Sequence, residues 1–115
     1  MAFSQKYTEL GMTKPVEVKV TNKVLKDTIR LQKEIIEKNE IIASPETGVN
    51  ETMTALYELM EFKFNYIVKI LHLTEKQAEK LDSLEPDETE EIIGKIVSQV
   101  FGIEDSEDEE SEGKE

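Results

Sequence analysis

Apolar residues recur at helical spacing over four stretches of the chain, which predicts four α-helices. The first stretch, "NKVLKDTIRLQKEIIEKNE", carries a wide apolar stripe on one side and mostly charged residues on the other. Thr21 or Asn22 can cap it, because a side-chain oxygen there accepts a hydrogen bond from the opening turn. The segment "SPETGVN", which contains Pro45 and Gly48, interrupts the pattern and predicts a loop between two helices.

Two shorter helices are predicted in the second half of the chain. Thr74 and Gln77 in "TEKQ" match a capping box, so a third helix begins there and continues to about Leu81. Pro86 suits the first turn of a fourth helix, because the N–H that proline lacks has no intrahelical partner at that position. This helix runs to about Phe101, and the glycine that follows is a typical stop signal.

The second of the four stretches, "ETMTALYELMEFKFNYIVKILHL" from Glu51 to Leu73, has apolar residues on two faces. Asn50 is a candidate cap for this helix. One apolar stripe at helical spacing comprises Met53, Leu56, Tyr57, Met60, Phe64, Ile67, Val68 and Leu71. A second stripe, roughly opposite to the first, comprises Leu59, Phe62, Tyr66, Ile70 and Leu73.

This doubly apolar helix has two interpretations. A helix that is apolar nearly all round is normally buried, and the other three helices would then wrap it at the centre of a small bundle. Alternatively, part of the second stripe is exposed and binds another protein, because a small domain has few helices with which to cover both stripes. On this second interpretation Leu59, Phe62, Tyr66, Ile70 and Leu73 are the candidate protein-binding residues.

The segments outside the helices complete the predicted fold. Residues 1–15 have little periodicity and are predicted to form a flexible N-terminal arm. "VEVKV" alternates as a strand does, but no partner strand is evident, so we expect a short extended segment that pairs, if at all, in an oligomer. Residues 104–115, "EDSEDEESEGKE", contain no apolar residue and are predicted to be a disordered acidic tail. The expected fold is therefore all-α, with about four helices around a central long helix in residues 16–103.

The charge of the chain argues against several kinds of partner. The formal net charge is −12, and residues 104–115 contribute eight acidic residues and one lysine, roughly −7 of that total. Phosphate backbones would be repelled, so we expect no nucleic-acid binding, and an anionic membrane surface is disfavoured for the same reason. The chain lacks a run of about eighteen apolar residues, so no membrane-spanning helix is expected.

The sequence offers little catalytic or metal-binding chemistry. Cysteine is absent, which excludes thiolate nucleophiles and thiolate metal ligands. His72 is the only histidine, and without a nucleophile beside it we interpret it as a surface residue near a helix end. The acidic tail lacks the central glycine and apolar flanks of an EF-hand. We therefore expect no enzymatic activity, no cofactor and no metal site.

The pattern as a whole resembles a known family. "VEVKVTNKVLKDTI", followed by "MTALYELMEFKFNYIVKILHLTEKQAEKLDSLEPDETEEIIGKIVSQVFGI" and an acidic ending, is similar to the small tail assembly chaperones of long-tailed phages of Gram-positive bacteria. The similarity is greatest to the tape-measure chaperones of lactococcal siphophages, and it covers about Val16 to Ile103 in helix pattern and spacing.

The resemblance implies a function and its partners. Such chaperones keep the long, helical, aggregation-prone tape measure protein soluble and help tail tube subunits gather around it. They act in the host cytoplasm and are absent from the finished virion. Met53 and Met60 would let one surface accept varied client registers, since methionine side chains adapt their shape.

Two alternatives stay open at this point. The acidity of the chain is also typical of a small regulator that mimics nucleic acid and blocks a basic site on a host protein. Equally, the second stripe of the doubly apolar helix would be covered if the chain formed a homo-oligomer without any client.

Overall fold

The computed structural model describes residues 1–103 and has a two-stranded sheet followed by four helices. The strands are β1 (Ala2–Gln5) and β2 (Val16–Lys19), with a 3-10 turn at Thr8–Leu10 between them, and the helices are α1 (Asn22–Ala43), α2 (Val49–Leu71), α3 (Glu75–Asp82) and α4 (Pro86–Phe101). The four predicted helices are thereby confirmed. The predicted disordered tail, residues 104–115, lies outside the described residues.

Local capping interactions set most of the helix ends. The Thr21 side chain accepts a hydrogen bond from the Val24 N–H at 3.2 Å and so begins α1. Thr74 and Gln77 form the predicted capping box of α3, each side chain accepting from the other residue's N–H, at 3.2 and 2.9 Å. Gly102 ends α4 in the left-handed conformation, with φ of 67°, a geometry that glycine adopts without steric cost.

Helix α2 begins earlier than the sequence pattern predicts. Asn50, the expected cap, lies inside the helix, and the capping position belongs to Gly48. The Glu51 carboxylate accepts a hydrogen bond from the Gly48 N–H at 3.3 Å. A glutamate three residues after the cap can satisfy an N–H that the helix leaves free, so the asparagine is not needed.

The N-terminal residues are part of the fold, and the prediction of a separate flexible arm is wrong. Strand β1 pairs with β2 in antiparallel register, which places Phe3 opposite Val18. The partner strand that "VEVKV" needs therefore comes from the same chain. Tyr7, Leu10 and Met12, which follow β1, are buried in the core, and Leu10 is 0% exposed.

Helices α1 and α2 form an antiparallel hairpin. Near the start of α1, Asp27 Oδ2 lies 3.0 Å from Lys69 Nζ, and the Thr28 and Tyr66 hydroxyls are hydrogen-bonded at 2.7 Å. Because Asp27 and Lys69 pair across the open end of the hairpin, the loop at residues 44–48 forms its other end. Helix α4 packs against both helices, and α3 lies against the 3-10 turn.

The core occupies only the open end of this hairpin. Its buried residues are Tyr7, Leu10, Met12, Val18, Leu31, Tyr66, Ile67, Ile70, Leu71, Leu81, Ile92, Ile93, Ile96 and Val100. Every α2 residue in this set lies at or after position 66. Helix α2 is therefore central to the fold over its last two turns, whereas its first half extends beyond the core.

Candidate protein-binding surface

The first half of α2 carries a row of exposed apolar side chains. Val49, Met53, Leu56, Tyr57 and Met60, here called the α2 strip, are 78%, 54%, 36%, 66% and 61% exposed. Their spacing keeps them on one side of the helix, and from Val49 to Met60 they extend for about 18 Å. Ile36 and Ile41 on α1 are exposed in the same part of the hairpin.

The α2 strip is the outer half of a stripe whose inner half is buried. The same helical spacing continues from Met60 to Phe64, Ile67 and Leu71. Ile67 and Leu71 lie in the core, which α3 and α4 complete from outside the hairpin. At the junction, Met60 and Phe64 line a shallow groove together with Leu84 of the α3–α4 connection. The apolar stripe is therefore longer than the two short helices that cover it.

The opposite side of the exposed half of α2 packs on α1. Ala55 and Leu59 are buried there, although neither belongs to the main core. Lys38 Nζ lies 3.2 Å from Glu58 Oε1 and joins the two helices, and this hydrogen bond raises the pKa of Lys38. The end of the hairpin beyond the core is thus held together by the packing of Ala55 and Leu59 on α1 and by a surface ion pair.

The structure corrects the choice of exposed stripe. Leu59, Tyr66 and Ile70, three of the candidate protein-binding residues, are 5% exposed or less and face the chain's own helices. Phe62 and Leu73 are half-buried and pack against the core. The expectation that this stripe is the exposed one is therefore wrong for Leu59, Tyr66 and Ile70, because α1 and β2 cover it. The other stripe, in its first half, carries the free apolar surface.

The signal for the correct stripe was present in its residue types. Met53, Tyr57 and Met60 have flexible or amphipathic side chains, whereas the side of α2 that faces α1 has a small alanine, Ala55, one turn before Leu59. The two methionines that the resemblance assigned to an adaptable surface are both exposed. Two acidic side chains, Glu58 and Glu61, are exposed on the same segment of α2 as the strip.

The remaining polar side chains of the described residues form no catalytic arrangement that we recognise. His72 ends α2 in the left-handed conformation, with φ of 52°, and is exposed, as the sequence interpretation placed it. Within residues 1–103, His, Asp and Glu side chains do not come together in threes that could hold a metal ion. None of the described helices combines the length and apolarity that crossing a membrane requires.

Comparison with known proteins identifies the family. Residues 4–115 match the sequence profile of the family described as phage tail assembly chaperone proteins, TAC. Neither the curated proteins nor the solved structures contain a match to the chain. The narrower similarity to the lactococcal type stays a prediction. The match includes nearly the whole chain and agrees with the resemblance seen in its helix pattern, so this protein belongs to the phage tail assembly chaperone family.

Proposed function

We propose that this protein is a non-enzymatic chaperone that binds the tape measure protein, keeps it soluble and helps to recruit tail tube subunits during tail assembly. It acts in the host cytoplasm and is not retained in the mature virion. Membership of the tail assembly chaperone family supports the general role. The observation that carries the specific proposal is the α2 strip, an apolar row at helical spacing that the chain's own helices leave uncovered.

The α2 strip suits a helical client. Met53, Leu56 and Met60 follow the i, i+3, i+7 spacing with which one helix packs its side chains between those of another. A tape measure protein is long and largely helical, and it exposes apolar stripes until the tail tube surrounds it. Methionine side chains can repack against different side chains, so one strip can accept many segments of such a client.

The charges beside the strip indicate which client segments bind best. Glu61 is exposed next to the apolar row, four residues after Tyr57, whereas Glu58 pairs with Lys38 of α1. A client helix whose apolar stripe is flanked by Lys or Arg would therefore be attracted, and one flanked by acids would be repelled. We expect such basic amphipathic segments to be the first that the chaperone covers.

Several copies are expected on each client, and copies are expected to pair without it. One strip covers about 18 Å of helix, whereas a tape measure protein is far longer. In the absence of a client, a second copy would cover the strip, because exposed apolar rows of this kind favour self-association. Client binding then exchanges one helix–helix contact for another, and the homo-oligomer serves as the resting form.

Co-expression with the tape measure protein tests the proposal. The expected result is that the client moves from the insoluble to the soluble fraction and co-purifies with the chaperone. Tyr57→Glu, which places a charge in the exposed strip, should abolish this effect. Lys95→Glu, an exposed change on α4, is the matched control and should retain it. A client that stays insoluble with the unmodified chaperone would contradict the proposal.

A further inference from the structure

Basic residues are concentrated on one side of the hairpin, away from the α2 strip. Lys23, Lys26, Arg30 and Lys33 follow the 3-4-3 spacing of a single stripe along α1. Lys69 of α2 and Lys19 at the end of β2 extend the stripe at the open end of the hairpin. These six residues are here called the basic face, and Arg30 and Lys69 have side chains that are 64% and 52% exposed.

The basic face stands out against an acidic protein. Its neighbouring carboxylates are Asp27, which lies 3.0 Å from Lys69 and 3.8 Å from Arg30, and Glu17. Glu34 and Glu37 line a second cavity beside the lysines and the arginine of α1. Six cationic side chains and four carboxylates give it a local charge of +2. Without the eight acidic residues and one lysine of 104–115, the counts of 26 acidic and 14 basic residues fall to 18 and 13, so residues 1–103 carry −5. Charge is therefore segregated within the domain.

One end of the basic face is concave. An open cavity of about 410 Å³ lies between β2 and the adjoining ends of α1 and α2. Its floor is apolar and includes Val18, and its border carries three lysines, Lys19, Lys23 and Lys69, against two carboxylates, Glu17 and Asp27. This shape suits an extended anionic chain better than a flat array of lysines would.

The acidic segment leaves the domain beside this cavity. A methyl group added at Gly102 would lie 3.7 Å from Met1 Cε. The Met1 carbonyl in turn accepts a hydrogen bond at 2.9 Å from the N–H of Val20, the residue after Lys19. Residues 104–115 can extend for about 40 Å, whereas Lys23 and Lys33 are separated by about 15 Å along α1. The segment is therefore long enough to reach all of the basic face.

We propose that the acidic segment 104–115 docks on the basic face of its own chain. A short tether holds the segment at an effective concentration in the millimolar range, so weak individual ion pairs suffice. The association is dynamic and depends on salt, because the charges are exposed and are screened within a few ångströms at high ionic strength. The segment acts as a tethered competitor that keeps other polyanions off the basic face.

Paramagnetic relaxation in solution tests this docking. The chain has no cysteine, so Ser111→Cys provides a single site for a nitroxide label on the full chain. The amides of Lys23, Lys26 and Arg30 should broaden severalfold more than those of α3. Raising the salt concentration from about 0.1 M to about 1 M, which shortens the screening length from about 10 Å to about 3 Å, should remove the difference.

Charge-reversed variants make the result specific to the basic face. Lys23→Glu with Lys26→Glu should abolish the broadening, whereas Lys76→Glu with Lys95→Glu, an equal charge change on α3 and α4, should preserve it. Equal broadening in both variants, or none in the unmodified chain, would overturn the proposal. Equally strong broadening when the nitroxide and the isotope are carried by different copies would also overturn it, because the segment would then dock on a second copy.

Discussion

Replacing Met53 and Met60 by glutamine should weaken client binding while leaving the fold intact. The two side chains are 54% and 61% exposed, so neither is buried against another helix. Glutamine has a similar length and a good helix propensity, so α2 should form as before. We expect the free energy of unfolding to change by about 0.5 kcal/mol or less, as for other surface substitutions.

The loss of affinity follows from the exposed fraction of each methionine. Complete burial of a methionine side chain contributes about 1.5–3 kcal/mol. Covering the exposed half of each would therefore contribute about 0.8–1.8 kcal/mol, and the pair roughly 1.7–3.4 kcal/mol. Since 1.4 kcal/mol corresponds to a tenfold change in affinity, the Kd should rise about 15- to 300-fold.

Titration of a labelled tape measure segment, followed by fluorescence anisotropy, measures this change. Urea unfolding of the same variant separates lost binding from lost structure. Ile29→Gln is the matched control, since Ile29 is 49% exposed on α1 but lies outside the α2 strip. An unchanged Kd in the methionine variant, or an equal loss in the Ile29 variant, would refute the assignment of the binding surface.

The remaining predictions concern stability, measured by urea unfolding. Tyr66→Phe should cost about 1 kcal/mol, because the Thr28 hydroxyl loses its 2.7 Å hydrogen bond to Tyr66. Tyr7→Phe should be neutral or stabilising, since the buried Tyr7 hydroxyl has no hydrogen-bond partner among the described residues; destabilisation beyond 1 kcal/mol would indicate that it has one. Leu10→Ala should cost about 2–5 kcal/mol, whereas a free N-terminal arm would make it neutral. Burial raises the pKa of Tyr7 and Tyr66 above the ordinary value of 10.0. Their contribution to the free energy of unfolding should therefore be fully present below pH 10.0 and should decrease as the pH rises above it. A free energy of unfolding that stays constant above pH 10.0 would contradict their burial.

Local sequence signals predicted the helices well because helix ends depend on neighbouring residues. Thr21, Thr74 and Pro86 each mark the start of a helix through interactions within one turn. Asn50 was misjudged as a cap, since Glu51 reaching back to Gly48 satisfies the same requirement. The number and order of the helices could therefore be predicted from residue patterns alone.

Periodicity alone could not predict the exposed surface, because exposure depends on distant parts of the chain. Periodicity separates two apolar stripes on α2, but it does not indicate which of them a neighbouring helix covers. Leu59 and Tyr66 became buried because α1 folds back on that side. Met53 stays exposed because α3 and α4 do not extend over it, and Met60 stays exposed at the edge of the α3–α4 connection. Which stripe of α2 is covered depends on how far the neighbouring helices extend along it. That extent is known only once the helices are placed in three dimensions.

The N-terminal sheet was missed for a similar reason. Strand β1 is only four residues long, and Phe3 is its one large apolar residue, so alternation gives a weak signal. The pairing of Phe3 with Val18 joins segments fifteen residues apart. Tyr7, Leu10 and Met12 lie between the strands without helical or alternating spacing, yet all three are buried once the strands pair.

The methionine methyl groups offer the most direct test of the α2 strip as the client-binding surface. The chain has four methionines, of which Met53 and Met60 lie in the strip, Met12 lies in the core and Met1 is exposed just before β1. In a methyl-labelled sample, addition of the tape measure protein should shift or broaden the Met53 and Met60 resonances and leave those of Met12 and Met1 unchanged. Unchanged Met53 and Met60 resonances, with a bound client, would contradict the account.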